Sequence, residues 1–170
     1  MELFKFFKRK ADPIIIYNAD KNSKELISDG ILFEGSNIFI KWGIDIDQLS
    51  NEIKGQKERR TDRTIYHWGV QTILNGLKLN LTTIYWDHKA EGDFKKFNSI
   101  GFWSIGDKQA EKYIEIISSH LENEIGLPGK KQAVDSDILL EWKIKDIKLS
   151  LSFFERHAYK LHFEINKEEE

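Results

Sequence analysis

The stretch NGLKLNLTTIYW, Asn75 to Trp86, decides how this chain folds, because its leucines alternate with polar residues. A period of two places successive side chains on opposite faces of a β-strand, so one face meets a core and the other meets solvent. The segment KDIKLSLSFFER, Lys145 to Arg156, has nearly the same pattern. The chain therefore presents one type of strand twice, which indicates an internal repeat.

Each of these strands follows the same order of elements. A helix ending at a glycine comes first, from Asp45 to Gly55 in one half and from Asp107 to Gly126 in the other. A polar or basic loop and three alternating strands follow. We predict an α+β fold in which two helix-plus-three-strand repeats form an antiparallel sheet with helices on one face. The ordinary alternative is that any two amphipathic meanders look alike, because alternation is common to strands.

A chain of 170 residues fits a single domain. We assign residues 1–41 to short N-terminal strands, including Ile14–Tyr17 and a hairpin that turns at Glu34–Asn37. Residues 42–104 form the first repeat, residues 105–166 the second, and residues 167–170 an acidic tail. Asp45, with Gln48 three positions later, is typical of a helix N-cap.

The composition excludes several classes of protein. Lys and Arg number 26 against 28 Asp and Glu, so the net charge of −2 does not fit the basic surface of a nucleic-acid binder. The absence of cysteine excludes disulfides and thiolate zinc sites, and it favours the cytoplasm. The start, MELFKFFKRK, is too short in its apolar part to span a membrane. We interpret it as a short helix or frayed terminus, with a weak interfacial anchor as the alternative.

No pattern in the chain names a reaction. The histidines lack metal-ligand spacing, and the phosphate-binding loops, dinucleotide fingerprints and nucleophile elbows of known enzymes are missing from the sequence. We therefore expect no catalytic residue, no metal and no cofactor. The basic run Lys54–Arg63 could contact phosphates, but Glu58 and Asp62 interrupt it, so we interpret it as a solvated loop.

The tryptophans indicate a binding surface. We assign Trp42, Trp68 and Trp142 to the core. By the alternation of their strands, Trp86 and Trp103 point away from the leucines, onto a face that also carries polar residues. The ordinary alternative is burial of both tryptophans by the N-terminal segment or at strand ends. The residues predicted to bind a partner are Trp86, Trp103, Ile84, Lys78, Lys148, Lys160 and His162.

From Trp42 to Ile165, the helix-and-meander order resembles the β-lactamase-inhibitor-protein-like fold, in which two helix-and-strand units form one curved sheet that grips a partner. WGIDIDQL, Trp42 to Leu49, is similar to helix openings of small bacterial proteins, some of them resembling immunity proteins of toxin systems. Asp45 stands where those openings usually have Ser or Thr, and the cysteines and signal peptide of the secreted inhibitors are missing. The resemblance implies a bacterial protein whose sheet binds another protein.

Three functions follow as hypotheses. The first is a non-catalytic protein-binding module, an immunity or inhibitor protein in its most specific form, whose open sheet face occludes a toxin or enzyme. The second is a small-ligand-binding or enzymatic domain with a pocket between sheet and helices, near Asp87, His88 and His162. The third is a structural module that only mediates self-association through its exposed strands.

Overall fold

The computed structural model describes residues 14–16, 23–86, 96–104, 110–135, 137–155 and 160–168. The predictions for MELFKFFKRK, for Asp87 and His88, and for the end of the acidic tail lie outside these residues. Within them the chain contains helices and strands whose bounds are as follows. The helices are α1 (Ser23–Leu26), α2 (Ile46–Glu52) and α3 (Ala110–Ile125); the strands are β1 (Ile14–Ile16), β2 (Gly30–Phe33), β3 (Ile38–Lys41), β4 (Gln56–Arg59), β5 (Arg63–Ile73), β6 (Leu77–Trp86), β7 (Ser99–Ser104), β8 (Lys130–Val134), β9 (Asp137–Ile144), β10 (Ile147–Phe154) and β11 (Lys160–Lys167).

Two antiparallel sheets organise these strands. An eight-stranded sheet has the order β4-β5-β6-β7-β11-β10-β9-β8, and a three-stranded sheet has the order β1-β3-β2. The two halves of the larger sheet meet where β7 pairs with β11, with Ile100 opposite Ile165 and Trp103 opposite His162. The predicted α+β fold with an antiparallel sheet and short N-terminal strands is confirmed.

One face of the large sheet carries the core. The alternating leucines of β6 and β10 are buried, and Leu81 and Leu149 are completely inaccessible to solvent. They share a single hydrophobic cluster with Leu49 of α2 and Leu121 of α3, so both helices lie on the same face of the sheet. Each such side chain contributes about 1.5–3 kcal/mol through its burial. The three-stranded sheet adds Ile40 to this cluster and therefore lies on that face too.

Three tryptophans belong to this core, as predicted. Trp42, Trp68 and Trp142 are 8%, 5% and 2% exposed. Each indole N–H finds an acceptor, since Trp42 donates to the Ile27 carbonyl at 2.7 Å, Trp142 to the Gly126 carbonyl at 2.8 Å and Trp68 to Thr83 Oγ1 at 2.9 Å. Satisfying this donor is what permits a tryptophan to be buried at low cost.

The helix start at Asp45 also follows the prediction. The Asp45 side chain accepts a hydrogen bond from the Gln48 N–H at 2.8 Å, so it is the N-cap of α2. The Gln48 side chain does not close a capping box, because it donates to Glu52 Oε1 at 2.9 Å instead.

The structure adds elements that alternation did not indicate. Among the described residues, four strands follow α2 and four follow α3, rather than the predicted three, because β4 lies within the predicted basic loop and β8 follows the glycine stop of α3. Both are edge strands of the large sheet. Their sequences, QKER and KKQAV, are largely exposed and contain no apolar alternation, which is typical of charged edge strands. Helix α1 lies within residues 1–41, for which the sequence indicates only short strands.

Candidate functional site: a cavity on the outer sheet face

The sheet face opposite the core, which we call the outer face, is formed by the alternate residues of the same strands. Cross-strand pairing aligns them in rows. One row crosses the entire sheet from edge to edge. Its members, in strand order, are Gln56, His67, Thr82, Gly101, Glu164, Ser150, Glu141 and Lys130.

A cavity of about 430 Å³ opens on this face above β5, β6 and β7. We call it the outer cavity. It combines aromatic, aliphatic, basic and hydroxyl or amide side chains, a composition typical of a binding site rather than of a solvated sheet surface. Its lining residues are Arg60, Arg63, Ile65, His67, Asn80, Thr82, Ile84, Trp86 and Trp103.

Gly101 lies in β7, next to the cavity in the strand order. It pairs with Thr82 on one side and with Glu164 on the other. A Cβ at this position would lie 2.5 Å from the carbonyl oxygen of Phe163, so the close approach of β7 to β11 requires glycine.

Trp103 forms the wall of the cavity nearest the centre of the sheet. Its ring stacks on the imidazole of His162, with centroids 3.7 Å apart and planes 28° from parallel. Trp103 itself remains 47% exposed, whereas burial lowers the pKa of His162 to about 4. The Glu164 carboxylate is 3.9 Å from His162 Nε2, beyond hydrogen-bond distance, so burial dominates and His162 is neutral at pH 7.

Basic side chains form the opposite wall. The Arg63 guanidinium lies over the Trp86 ring, 4.7 Å from its centroid, which is cation–π geometry. Arg60 Nε is 2.7 Å from one oxygen of Glu58, and His67 Nε2 is 3.1 Å from the other. The hydrogen bonds from Arg60 and His67 lower the pKa of the Glu58 carboxyl. Glu58 thus holds two of the three basic groups, and Arg63 is only 3.8 Å from its neighbour Asp62.

Unsatisfied polar atoms gather around this cavity. Within the described part of the chain, Arg63 Nε, Thr82 Oγ1 and His162 Nε2 are buried and have no hydrogen-bond partner. Arg63 and Thr82 line the cavity, and His162 lies beneath its Trp103 wall. Buried polar groups without partners are rare in folded proteins, and a bound group is one way to satisfy them.

The structure brings part of the predicted site together. Trp86, Ile84 and Trp103 line the outer cavity, and His162 supports Trp103. The three predicted lysines lie on the outer face by register but do not line the cavity. Lys78 pairs with Thr72 near the β5–β6 turn, Lys160 sits opposite Phe154, and Lys148 Nζ is held 2.5 Å from Glu141 Oε1. The Glu141 hydrogen bond raises the pKa of Lys148, so this lysine is occupied within the chain.

Sequence reasoning missed the basic wall. Arg60 and Arg63 lie in the run that the sequence indicates to be a solvated loop, and His67 is not among the predicted binding residues, although Arg63 is directly opposite Trp86 in the register. The alternative function has a pocket between sheet and helices near Asp87, His88 and His162. Of these residues, His162 lies on the outer face, on the opposite side of the sheet from α2 and α3. Asp87 and His88 lie outside the described residues.

A smaller apolar depression of about 190 Å³ lies toward the β8 edge, lined in part by Leu139, Phe154 and Val134. Leu139 pairs with Ser152, which pairs with His162, so a single row joins this depression to Trp103. The outer face thus carries two apolar areas separated by polar side chains.

Two searches of the described residues are negative. No cluster of three or more His, Cys, Asp or Glu side chains in those residues could hold a metal ion. Among the helices described, none is both long and apolar enough to cross a membrane. Comparison of the chain with protein-family models, with curated proteins and with solved structures gives no match.

Proposed function

We propose that this protein is a non-catalytic protein-binding module that uses the outer face of its eight-stranded sheet. The observation that carries the proposal is the convergence of Trp86, Ile84 and Trp103 on one cavity of that face. Tryptophan is over-represented among the residues that dominate binding energy at protein interfaces, especially where it borders a pocket. Among the described residues, α2, α3 and the smaller sheet lie on the core face, so none of these elements covers the outer face.

The dimensions of the face suit a protein partner. Eight strands spaced about 4.8 Å apart span roughly 34 Å, and six residues of strand extend roughly 20 Å, which gives about 700 Å². A standard protein interface buries about 800 Å² on each partner. The polar residues between the two apolar areas would then form the hydrogen-bonding part of the interface.

The more specific version of the proposal is a bacterial, cytoplasmic immunity or inhibitor protein that blocks a toxin or enzyme sterically. A tandem repeat of the β-lactamase-inhibitor-protein-like kind is part of this version: strands β4–β7 would belong to one unit and strands β8–β11 to the other, on the two sides of the β7–β11 junction. In this arrangement each unit contributes half of one continuous binding surface. Self-association through the edge strands β4 and β8 is the variant in which the partner is a second copy.

Binding of a small ligand is the second candidate, and the size of the outer cavity favours it. About 430 Å³ falls within the range of ligand pockets in proteins. The basic and aromatic walls would select an anionic ligand. The two candidates predict different results when wild-type protein is incubated with a cell extract. A protein-binding module should retain a protein, and a ligand-binding domain should retain a small molecule.

Capture from extracts of the native host tests the proposal. Tagged wild-type protein, Trp103→Ala and a control, Ile116→Ala, would be compared by quantitative mass spectrometry. Ile116 lies on α3 and is 49% exposed, close to Trp103 in exposure but remote from the outer face. A hot-spot tryptophan is worth at least about 2 kcal/mol, so capture should fall roughly thirtyfold with Trp103→Ala and stay unchanged with Ile116→Ala. Equal capture by all three proteins would refute the outer face as the binding surface.

A further inference from the structure

We propose that the outer cavity binds a carboxylate that is attached to an apolar group, and that the Arg63 guanidinium is the group that recognises it. This inference rests on the proposed function, since the carboxylate would be an Asp or Glu side chain of the partner protein, next to an apolar side chain. It extends that function from a surface to the chemistry of the segment it accepts.

Arg63 has the geometry of a prepared anion-binding group. Arg63 Cζ lies over the Trp86 ring, 4.7 Å from its centroid, and only 28% of the Arg63 side chain is exposed. An arginine fixed in this way loses little conformational freedom when it binds, and its planar fork matches the two oxygens of a carboxylate. Its Nε–H is buried without an acceptor in the described part of the chain.

The acidic side chains near Arg63 do not accept a hydrogen bond from its Nε–H. Glu58 is shared between Arg60 and His67, so it does not serve Arg63. At 3.8 Å, the contact with Asp62 is too long for a hydrogen bond, and the Asp62 side chain is 58% exposed. The buried Thr82 hydroxyl, farther along the same cavity, also has no hydrogen-bond partner among the described residues. An anion in the cavity would supply the acceptor that the Arg63 Nε–H lacks.

The volume and the apolar walls define the rest of the ligand. A cavity of about 430 Å³ is several times larger than a carboxylate group. Ile65, Ile84 and Trp103 line the remaining space, and such surfaces favour apolar groups over water. We therefore expect the carboxylate to be accompanied by an aromatic or aliphatic group rather than to bind alone.

Nuclear magnetic resonance titration of the full chain tests this inference with defined probes. The probes are 3-phenylpropionate, its neutral amide and adenosine monophosphate. We expect 3-phenylpropionate to shift the Arg63 Nε–H and the Trp86 and Trp103 indole N–H signals in a saturable manner. The amide should bind at least tenfold more weakly, because it keeps the phenyl group but loses the charge that Arg63 recognises.

Variants assign the effect to Arg63. Arg63→Ala should weaken 3-phenylpropionate binding at least tenfold, and Arg63→Lys should restore only part of it, because lysine keeps the charge without the fork. The control is Arg59→Ala, which removes an exposed arginine of β4 that does not line the cavity. Equal binding of acid and amide, an absence of shifts at the cavity, or tighter binding of adenosine monophosphate would each overturn the inference. These outcomes are independent of protein capture, so failure of the inference and failure of the proposed function can be distinguished.

Discussion

Removal of the Trp103 ring should raise the pKa of His162. The ring stacks on the imidazole at 3.7 Å, and burial lowers the pKa of His162 from 6.5 to about 4. Each pKa unit corresponds to about 1.4 kcal/mol, so the buried environment favours neutral His162 by about 3 kcal/mol. Trp103→Ala would expose one face of the imidazole to water, and we expect the pKa to return most of the way to 6.5.

The same change alters how stability depends on pH. Because the pKa is lower in the folded state than in the unfolded state, His162 costs nothing above pH 6.5 and destabilises the fold as the pH falls toward 4. At pH 7, Trp103→Ala should lose the ring stack, about 0.5–1.5 kcal/mol. Near pH 4, charging of His162 no longer opposes folding in the variant, so its deficit relative to wild type should disappear or reverse.

Two assays measure these effects. Histidine ring resonances, assigned with His162→Gln, give the pKa directly, and urea unfolding at pH 7 and near pH 4 gives the free energies. Ile116→Ala is the control, because it removes an exposed apolar side chain of α3 without touching His162. A His162 pKa near 6.5 in wild type, or one unchanged by Trp103→Ala, would refute the stacked arrangement at the β7–β11 junction.

Three further predictions concern the fold. Leu79→Ala and Leu149→Ala should each lower the unfolding free energy by about 2–5 kcal/mol, whereas Lys78→Ala should change it by less than about 0.5 kcal/mol; urea denaturation in which both leucine variants resemble Lys78→Ala would contradict the core assignment. Asp45→Ala should cost about 1 kcal/mol through loss of the N-cap of α2, and Asp45→Asn, which keeps an acceptor, should cost little; equal losses in thermal unfolding would show that capping is not the cause. Gly101→Ala should destabilise the chain by about 1–3 kcal/mol and speed amide exchange at β7 and β11, because its Cβ would meet the Phe163 carbonyl oxygen at 2.5 Å; wild-type exchange rates would contradict this.

The alternation of apolar and polar residues predicted the strands that have one buried face. It did not predict the strands that have no buried face. Strands β6 and β10 place Leu81 and Leu149 on the core, so their period of two is visible in the sequence. Strands β4 and β8 exist through backbone pairing with β5 and β9, while their side chains remain largely in solvent. Pairing of this kind leaves no hydrophobic pattern, so the sequence indicates a loop at both places.

The sequence predicts the tryptophan side of the outer cavity but not its basic wall. Parity along β6 and β7 places Trp86 and Trp103 on the face opposite the leucines, and the structure has them there. The basic wall depends on the register of β5 with β6, which shifts by one residue at the bulge between His67 and Gly69. Without that shift, Arg63 would leave its position opposite Trp86 and turn to the other face of the sheet. A sequence does not show a bulge reliably enough to place Arg63.

Site-specific photocrosslinking in the native host tests the central claim, that the outer face binds a partner protein. A photoreactive amino acid at Asn80, an exposed residue that lines the outer cavity, would be compared with the same amino acid at Ile116 on α3. We predict a discrete crosslinked protein at position 80 that is lost when Trp103→Ala is added, and no such product at position 116. A partner crosslinked at position 116 but not at position 80, or a product at position 80 that persists in the Trp103→Ala background, would contradict the account.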